Sequence, residues 1–574
     1  MPIDEKKLAK LLVETKILTP ANLNKLVEEA KSANATLKTV LLDKKILNEE
    51  RLAELIAKTF GVEYISLKKI QIPKDILLII PEPLVKKHKI AAFKKTDTEL
   101  FVAMVDPDDL ATIESIKKKT GLVIKSFYTT PTDIEGIVKL YRQSIKSKFD
   151  EIIKNAKLAK QDETLEKAAQ DLPVIRIVDT LLDDAILQDS SDIHMEPAEK
   201  EVIVRYRIDG ILHDIISLPK TILPALVARI KILTNLKIDE NRLPQDGRFK
   251  KQTEDYNVSF RVSIIPVYDG EKVVMRILHE GQKVLTLEQL GFQHSALEKV
   301  RRNIKRPHGM ILATGPTGSG KTTTLYSIMH ILNKAEVNIT TIEDPIEYRM
   351  PRINQTQINT RIGLTFAKGL RSLLRQDPDV MMVGEIRDNE TAEIAVHAAL
   401  TGHIVLSTLH TNNAAGTLPR FLDMKVEPFL AASTVNTVIA QRLLRKICSN
   451  CIESFVPDKD FLEMLKKEFN LEKIFKIMKR ERLTKTEPSL DNLKFYKGKG
   501  CSQCSNEGYK GRIGIYEVLE ITEEIQDLVV KNSSSDTIQK KAVELGMITM
   551  EQDGFIKAAT GVTTIEEVLR VTKE

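Results

Sequence analysis

The sequence predicts a multidomain α/β protein, and three observations carry the prediction. Met310 to Lys321 reads M-I-L-A-T-G-P-T-G-S-G-K, an apolar run that opens into glycines and then into a helix-compatible stretch from Thr322 to Leu332. Three later apolar runs each end in a side chain able to do chemistry: Asn338 to Ile342 before Glu343-Asp344-Pro345, Asp379 to Gly384 before Glu385, and Ile404 to Leu409 before His410. Finally, 574 residues are too many for one core, so about three or four domains are expected.

Composition narrows the class. Hydrophobic residues at 42% and charged residues at 29% are ordinary for soluble globular protein. A net charge of +6, from 86 basic and 80 acidic residues, is small for this length; Trp is absent and aromatics are 5%. That argues against an extended nucleic-acid groove, which wants a basic stripe with stacking rings. The start, M-P-I-D-E-K-K-L, has no apolar core, and Ile76 to Ile80 falls far short of a bilayer span, which needs roughly 20 residues. A cytoplasmic protein without a signal peptide is expected.

Residues 1–145 form the first module. L-A-K-L-L-V-E-T-K-I-L-T from Leu8 returns as L-K-T-V-L-L-D-K-K-I-L-N from Leu37, an offset of 29 that brings Leu12/Leu41, Ile17/Ile46, Leu23/Leu52 and Leu26/Leu55 into register. Each copy reads as two short helices, with Thr19 and Asn48 placed as N-caps. From Val62 to Tyr141 apolar runs such as Leu100 to Val105 alternate with helical ones, so an α+β module follows. Residues 146–170 are charged, free of Gly and Pro, and read as a linker.

Residues 171–285 alternate apolar and polar side chains, as in E-V-I-V-R-Y-R-I-D-G-I-L from Glu201 and Y-N-V-S-F-R-V-S-I-I-P from Tyr256, with helices near Val178 and Leu226. Such alternation predicts an antiparallel sheet with one wet face. Arg205 and Arg207, two apart, share a face; Arg261 and Arg276 occupy similar strands. They either face solvent or reach a neighbouring subunit's nucleotide.

Residues 286–574 hold the phosphate loop. The spacing G-x-x-x-x-G-K-[ST] works because glycines let successive backbone N–H groups converge on phosphate oxygens, and the loop Gly315, Pro316, Thr317, Gly318, Ser319 and Gly320 is expected to bind ATP. Lys321 reaches the β/γ-phosphates, Thr322 holds Mg²⁺, and Thr322-Thr323 open a helix whose dipole adds to the site. In a parallel α/β sheet ligands bind beyond the carboxyl ends of strands, so Glu343, Glu385 and His410 are expected around the same phosphates. Gly384 stands where nucleotide sites usually carry an Asp, which leaves Glu343 and Glu385 to share magnesium and water: Glu343 as the base and Glu385 beside the metal, or the reverse. His403, seven residues before His410, lies about 23 Å away along a straight strand and is expected to have a structural or subunit-contact role.

The four cysteines form two pairs, Cys448-Ser-Asn-Cys451 and Cys501-Ser-Gln-Cys504. Paired C-x-x-C knuckles supply four thiolates for a closed, structural Zn²⁺ site within 446–512 rather than a redox centre. The tail from Ile513 reads as alternating helices and turns, a small helical cap.

These motifs together resemble the type IV pilus assembly ATPases of the secretion ATPase superfamily, with the type II secretion ATPases close behind. The resemblance rests on G-P-T-G-S-G-K-T from Gly315, T-I-E-D-P-I-E from Thr341, G-L-T-F-A-K-G-L-R-S-L-L-R-Q-D-P-D from Gly363, V-G-E-I-R-D from Val383, T-G-H-I-V-L-S-T-L-H-T-N from Thr401, S-D-I-H-M-E-P from Ser191, R-L-P-Q-D-G-R from Arg242 and the tetracysteine. It implies a RecA-like ATPase core with a zinc-binding insertion, a PAS-like α+β domain ahead of it, and a homohexameric ring. Hydrolysis of ATP, with Mg²⁺, would drive an inner-membrane platform protein and the pilus or pseudopilus machinery from the cytoplasmic face of the membrane. It also implies that Arg205, Arg207, Arg261 and Arg276 act in trans. The first module resembles one that binds cyclic di-GMP through paired R-L-G-x-x-L motifs; Lys7-Leu8-Ala9 and Thr36-Leu37-Lys38 lack the arginine and glycine, so that ligand is not expected.

Overall fold

The computed structural model describes residues 49–137 and 171–573, with short interruptions (68–69, 71, 78, 81–83, 86–87, 135, 254–256, 280–283, 482, 484–487, 491–492, 502–503 and 505), and scattered positions before residue 49 plus Ala169. Lys7, Leu8, Ala9, Thr36, Leu37, Lys38, Ile46, Asn48 and nearly all of 146–170 lie outside the described residues. The chain divides into two compact units, residues 1–187 with 224–229, and residues 188–223 with 230–574.

In the first unit the repeat closes on itself. Leu12, Leu41, Leu23, Leu52, Leu26 and Leu55 are buried in one cluster with Tyr128. The backbone repeats too: Leu18 N–H donates to Leu12 O at 3.2 Å, and 29 residues later Leu47 N–H donates to Leu41 O at 3.4 Å. Thr19 Oγ1 accepts from Asn22 N–H at 3.4 Å, the N-cap geometry. Helix α1 (Glu49–Phe60) follows, and then strands β1 (Ile90–Lys95) and β2 (Glu99–Met104). Helix α2 (Leu110–Thr120), capped by Asp109 and ended by a left-handed Gly121, crosses over to β3 (Val123–Tyr128), which runs parallel to β2. The unit ends in α3 (Leu172–Leu187).

The second unit holds two larger sheets. Strands β4 (Asp192–Pro197), β5 (Glu201–Ile208), β6 (Ile211–Pro219), β7 (Gln245–Gln252), β8 (Asn257–Val267) and β9 (Gly270–His279) form an antiparallel sheet in the order β6-β5-β4-β9-β8-β7. Asp209 and Gly210 join β5 to β6 with φ of 48° and 92°, the pair of left-handed residues a two-residue hairpin turn demands. Burial alternates as expected: Val202, Val204 and Tyr206 are fully buried, while Arg205 and Arg207 share the other face. In the last turn of helix α4 (Leu223–Thr234), the buried ammonium of Lys231 pairs with Glu271 at 2.7 Å and donates to Glu240 O at 2.7 Å.

Helix α5 (His294–Ile304) leads to the parallel sheet. Its members are β10 (Gly309–Thr314), β11 (Ile339–Glu343), β12 (Ile353–Gln357), β13 (Val380–Val383), β14 (Ile404–Leu409), β15 (Val435–Ile447) and β18 (Tyr509–Glu520), ordered β12-β11-β13-β14-β10-β15-β18. Only the β15/β18 pair is antiparallel. Helices α6 (Lys321–Leu332), α7 (Phe366–Leu373), α8 (Asn389–Leu400), α9 (Thr417–Asp423) and α10 (Pro428–Thr434) lie between the strands in sequence. Strands β10, β11 and β13 are buried at every position, as parallel strands covered on both faces require.

Between β15 and β18 the chain makes an excursion containing the hairpin β16 (Ile452–Phe455) and β17 (Phe495–Gly498) and helices α11 (Lys459–Glu468) and α12 (Leu471–Arg480). The expectation for the tail is corrected at its start. I-G-I-Y-E-V-L-E from Ile513 is strand, because Ile513 to Glu520 pair residue by residue along β15 with Gly514 to Leu519 all buried; the helical cap begins at α13 (Glu523–Val530) and continues through α14 (Ser535–Glu544), α15 (Met550–Ala559) and α16 (Ile565–Thr572). Among the described residues no helix is long and apolar enough to cross a membrane.

Candidate active site

The site begins where β10 runs out. Central in the sheet, β10 pairs with β14 on one side and β15 on the other, so its last residue, Thr314, has nowhere to go but outward. Gly315 follows at φ 142°, and a Cβ there would stand 2.4 Å from Gln441 O; only glycine fits. Gly318 and Gly320 also take positive φ, the latter as the N-cap of α6. Lys321 Nζ donates to Gly315 O at 2.8 Å and Pro316 O at 3.1 Å. Burial lowers the Lys321 pKa, and the negative charge of Glu385 opposes that shift, so Glu385 lies within electrostatic reach of the loop lysine.

Gln441, buried on β15, braces the loop. Its Nε2 donates to Ser319 O at 2.7 Å and its Oε1 accepts from Thr324 Oγ1 at 2.8 Å. Sequence reasoning missed this residue; a lone buried amide on an apolar strand was the available signal.

The strand ends converge, but not equivalently. Glu385 follows β13 by two residues; its Oε2 meets Arg387 Nε at 2.8 Å and His410 Nε2, just past β14, at 3.4 Å. Glu343 closes β11 and is 2% exposed. Tyr326 Oη from α6 and Thr341 Oγ1 donate to it, and Gln355 Nε2 from β12 does so at 3.2 Å. Burial raises the Glu343 carboxyl above the ordinary range, against the pull of those three donors. Glu343 is thus a fully partnered side chain beneath the site, and Glu385 the more open carboxylate beside the lysine. Gly384 has a steric cause: a Cβ would come within 3.3 Å of Glu343 Cα on β11.

His410 is about half exposed, and its turn is held from below: Thr411 N–H donates to Thr314 Oγ1 at 2.8 Å and Ala414 N–H to the buried Glu517 at 2.9 Å. His403 sits at the far end of β14 against Ala398 O, 2.9 Å away, where it steadies the end of α8.

On the antiparallel sheet, Arg205 pairs with Glu196, while Arg276 Nε meets Asp192 Oδ1 at 3.0 Å and Arg207 Nε lies 3.7 Å from Asp192 Oδ2. Burial lowers the Arg261 pKa, with Glu347 and Asp344 of the same chain acting against the shift and Arg276 and Arg248 adding to it. Arg261 therefore stands near the turn that follows β11. Asp344, Glu347 and Arg248 were not singled out from the sequence, although all three lie inside quoted motifs.

The four cysteines come together at the base of the excursion. Their Sγ atoms all lie within 4.8 Å of one another, with 3.7 Å between Cys448 and Cys501, 3.8 Å between Cys451 and Cys504 and 3.7 Å between Cys501 and Cys504. Four sulfurs at a Zn–S distance of about 2.3 Å sit some 3.8 Å apart in a tetrahedron, so the donor set fits zinc. Burial and neighbouring thiols push Cys451 up to about 12 and raise Cys448 as well; a bound cation would offset that and favour the thiolates. Backbone N–H groups of Cys501 and Gly508 donate to Cys504 Sγ at 3.2 and 3.3 Å, as in a metal knuckle.

Residues 167–570 match the Type II/IV secretion system protein family and residues 60–147 the MshEN domain. The type IV pilus assembly ATPase PilB of Myxococcus xanthus is 38% identical over 572 residues, 98% of each chain. The type II secretion system ATPase E of Vibrio cholerae is 43% identical over 432 residues, covering 75% of this chain and 82% of that one. Among solved structures, the ATPase DotB of Legionella pneumophila superposes with a TM-score of 0.49 at 21% identity, covering 68% of this chain and 94% of its own.

Proposed function

Because the chain belongs to the Type II/IV secretion system protein family and is an ATPase of it, we propose that it is the motor for type IV pilus extension. The observation that carries this reading is the match to the pilus assembly ATPase of Myxococcus xanthus along 98% of both chains, which takes in the first module as well as the motor. Export through a type II secretion system is the second reading, favoured by the higher identity, 43% over 432 residues, to the Vibrio cholerae ATPase. Loss of surface pili with protein export intact, after deletion of the gene, tests the choice; the opposite phenotype assigns the chain to secretion.

In this proposal the RecA-like core is residues 286–574, the PAS-like domain 171–285, the linker 146–170 and the N-terminal module 1–145, and six chains form a ring. The ring would work on an inner-membrane platform protein, the chain being peripheral at the cytoplasmic face. Residues Gly315 to Thr323 hold the phosphates of ATP, Lys321 neutralises the β/γ end, and Thr322 with Glu385 would hold Mg²⁺, which supplies charge neutralisation at the phosphoryl oxygens. The nearness of Glu385 to Lys321 supports Glu385 acting next to the γ-phosphate with His410 as its partner, and the three donors on Glu343 support a role in shaping the turn at Asp344. The arginines of the antiparallel sheet would face phosphate. The place of Arg261 beside Asp344 and Glu347 supports service to the nucleotide of its own chain over a neighbour's; a turnover per chain independent of protein concentration would favour the former and a rising one the latter.

Cys448, Cys451, Cys501 and Cys504 would hold Zn²⁺ as a structural clasp. Cyclic di-GMP is not expected to bind, since Lys7-Leu8-Ala9 and Thr36-Leu37-Lys38 lack the arginine and glycine; tight, saturable heat on calorimetric titration with it would overturn this.

A further inference from the structure

The antiparallel sheet carries an arrangement that folding alone opposes. Arg207 of β5 stands opposite Asp192 of β4, Asp192 opposite Arg276 of β9, Arg276 opposite Arg261 of β8, and Arg261 opposite Arg248 of β7. One row across five strands thus holds four guanidinium groups and a single carboxylate. Residues directly opposite each other on antiparallel strands have Cβ atoms about 4.5–5.5 Å apart, and like charges there are destabilising. Arg276, Arg261 and Arg248 are three in succession.

Asp192 is the carboxylate of that row, and it is 6% exposed. Its Oδ1 accepts from Arg276 Nε at 3.0 Å; its Oδ2 accepts from Ser191 Oγ at 2.8 Å and lies 3.7 Å from Arg207 Nε. Both arginines are approached at Nε, one edge of the planar fork. Arg207 Nη1 donates to Gly210 O at 2.9 Å, which also fixes its plane, whereas Arg276, held at Nε alone, presents its terminal Nη groups to a second anion with its plane already set. Four residues along β4, on the same face, Glu196 takes Arg205 and Lys272 in a parallel arrangement. The difference is what lies next in the row: beyond Arg276 comes Arg261, near Asp344 and Glu347 at the edge of the phosphate site.

We propose that Asp192 is a positioning residue for ATP hydrolysis: by holding Arg276 and Arg207 at Nε, it aims the arginine row at the terminal phosphate of the nucleotide. This rests on the reading of the chain as an ATPase whose sheet arginines face phosphate. A row poised for a γ-phosphate distinguishes ATP from ADP, so Asp192 controls that discrimination without touching either.

The test uses the full chain loaded with Mg²⁺. In Asp192→Asn, turnover of ATP should fall at least tenfold and on the order of a hundredfold if the guanidinium shifts by about 1 Å. Affinity for a non-hydrolysable ATP analogue should weaken about tenfold, roughly 1.4 kcal/mol, with ADP affinity changed less than about twofold. Adding Arg276→Ala to Asp192→Asn should cost little beyond Arg276→Ala alone, because the two act as a unit. If Asp192→Asn does not fold, Asp192→Glu, which keeps the charge but displaces it by one methylene, should show the same loss of discrimination at an unchanged melting temperature. Equal weakening of ATP analogue and ADP, or wild-type turnover in Asp192→Asn while Arg276→Ala is impaired, overturns the role of Asp192 and leaves the arginine reading standing. Wild-type turnover in both Arg276→Ala and Arg261→Ala sinks the arginine reading itself, and the proposal with it.

Discussion

The two large sheets of the second unit put their chemistry in different places. In the parallel sheet, β10, β11 and β13 are buried along their whole length, so these strands show solvent no mid-strand side chain, and the groups proposed to work on ATP, Lys321, Glu385 and His410, lie where strands stop. In the antiparallel sheet, one face of each strand stays open, and charged groups such as Arg205, Arg207, Arg261 and Arg276 stand in the middle of strands. A sheet buried on both sides has only its rim to offer, whereas a sheet with a wet face can offer an area. A rim suits a point of cleavage, and an area suits a grip that must be aligned over several strands.

The sharpest separation of the two is at Lys321. Lys321→Ala removes the ammonium from the rim and should abolish ATP binding, with turnover down on the order of a thousandfold or more; titration with a fluorescent nucleotide checks it. Arg261→Ala, on the open face, should retain ADP binding while losing turnover. If both variants lost ADP equally, the division between rim and face would fail.

Metal removal probes where the parallel sheet ceases to be parallel. The β15/β18 ladder runs from Thr437 opposite Glu520 to Ile447 opposite Tyr509, and the cysteines close it at the Ile447 end. Zinc sites of this kind supply folding free energy on the order of 10 kcal/mol. Chelation, or Cys501→Ser, should expose residues 448–508 to protease and lower the thermal midpoint. Nucleotide affinity should stay within a few-fold, since Gln441, the loop's brace, is opposite Tyr516, farther along the ladder. A chelated protein that keeps its protease resistance would show that the thiols alone suffice.

What the sequence disclosed follows the same division. The rim was legible because loop, strand end and chemical residue are neighbours in the chain: G-P-T-G-S-G-K-T and the residues after three apolar runs needed no knowledge of strand order. The cysteine cluster was legible from spacing, and the repeat from its offset, since Leu12/Leu41 and Leu23/Leu52 do share a core. The arginine row was not, because it depends on register. The two-residue turn Tyr268-Asp269 sets Val267 opposite Gly270, and the ladder then carries Arg261 to Arg276; β4 reaches β9 only through a long connection. The partners of Glu343 were not legible for a related reason: its donors come from Tyr326 on α6 and Gln355 on β12, elements whose neighbourhood no local pattern reports. Ile513 to Glu520, the later part of β18, read as helix and turn until paired with β15.

Glu343 gives a smaller and pH-dependent test of the buried sheet. Its carboxyl is raised by burial from the ordinary glutamate value of 4.5, so the folded state favours the protonated form. That contribution to stability is complete below the unfolded value and is lost as pH rises through the folded value. Glu343→Gln removes the titration, and so should gain on the wild type as pH rises from 4.5 into the raised range, then hold a constant difference. Urea unfolding at pH 5 and 8 measures it; a difference that is flat with pH would mean that the donors fully offset burial. In turnover, near wild-type activity of Glu343→Gln together with an inactive Glu385→Gln would leave Glu385 as the carboxylate that orients water.

The smallest expected effect lies where the two sheets meet. The β5–β6 turn reaches the cysteine region: Gly511 N–H donates to Asp209 Oδ2 at 2.7 Å, and His213 Nδ1 lies 3.4 Å from Glu507, which is 3.7 Å from Arg445. Asp209 itself has φ 48°, a conformation Asp and Asn tolerate better than other side chains do. Asp209→Asn therefore keeps both the turn and an acceptor for Gly511, and should cost less than about 0.5 kcal/mol, whereas Asp209→Ala loses the acceptor and adds left-handed strain, for about 1–2 kcal/mol. Thermal melts of the two variants separate these terms. Equal melting for both would place the turn's value in its backbone alone, and a large loss for Asp209→Asn would mean that the charge, acting on the Glu507–Arg445 pair through the knuckle, matters more than the hydrogen bond.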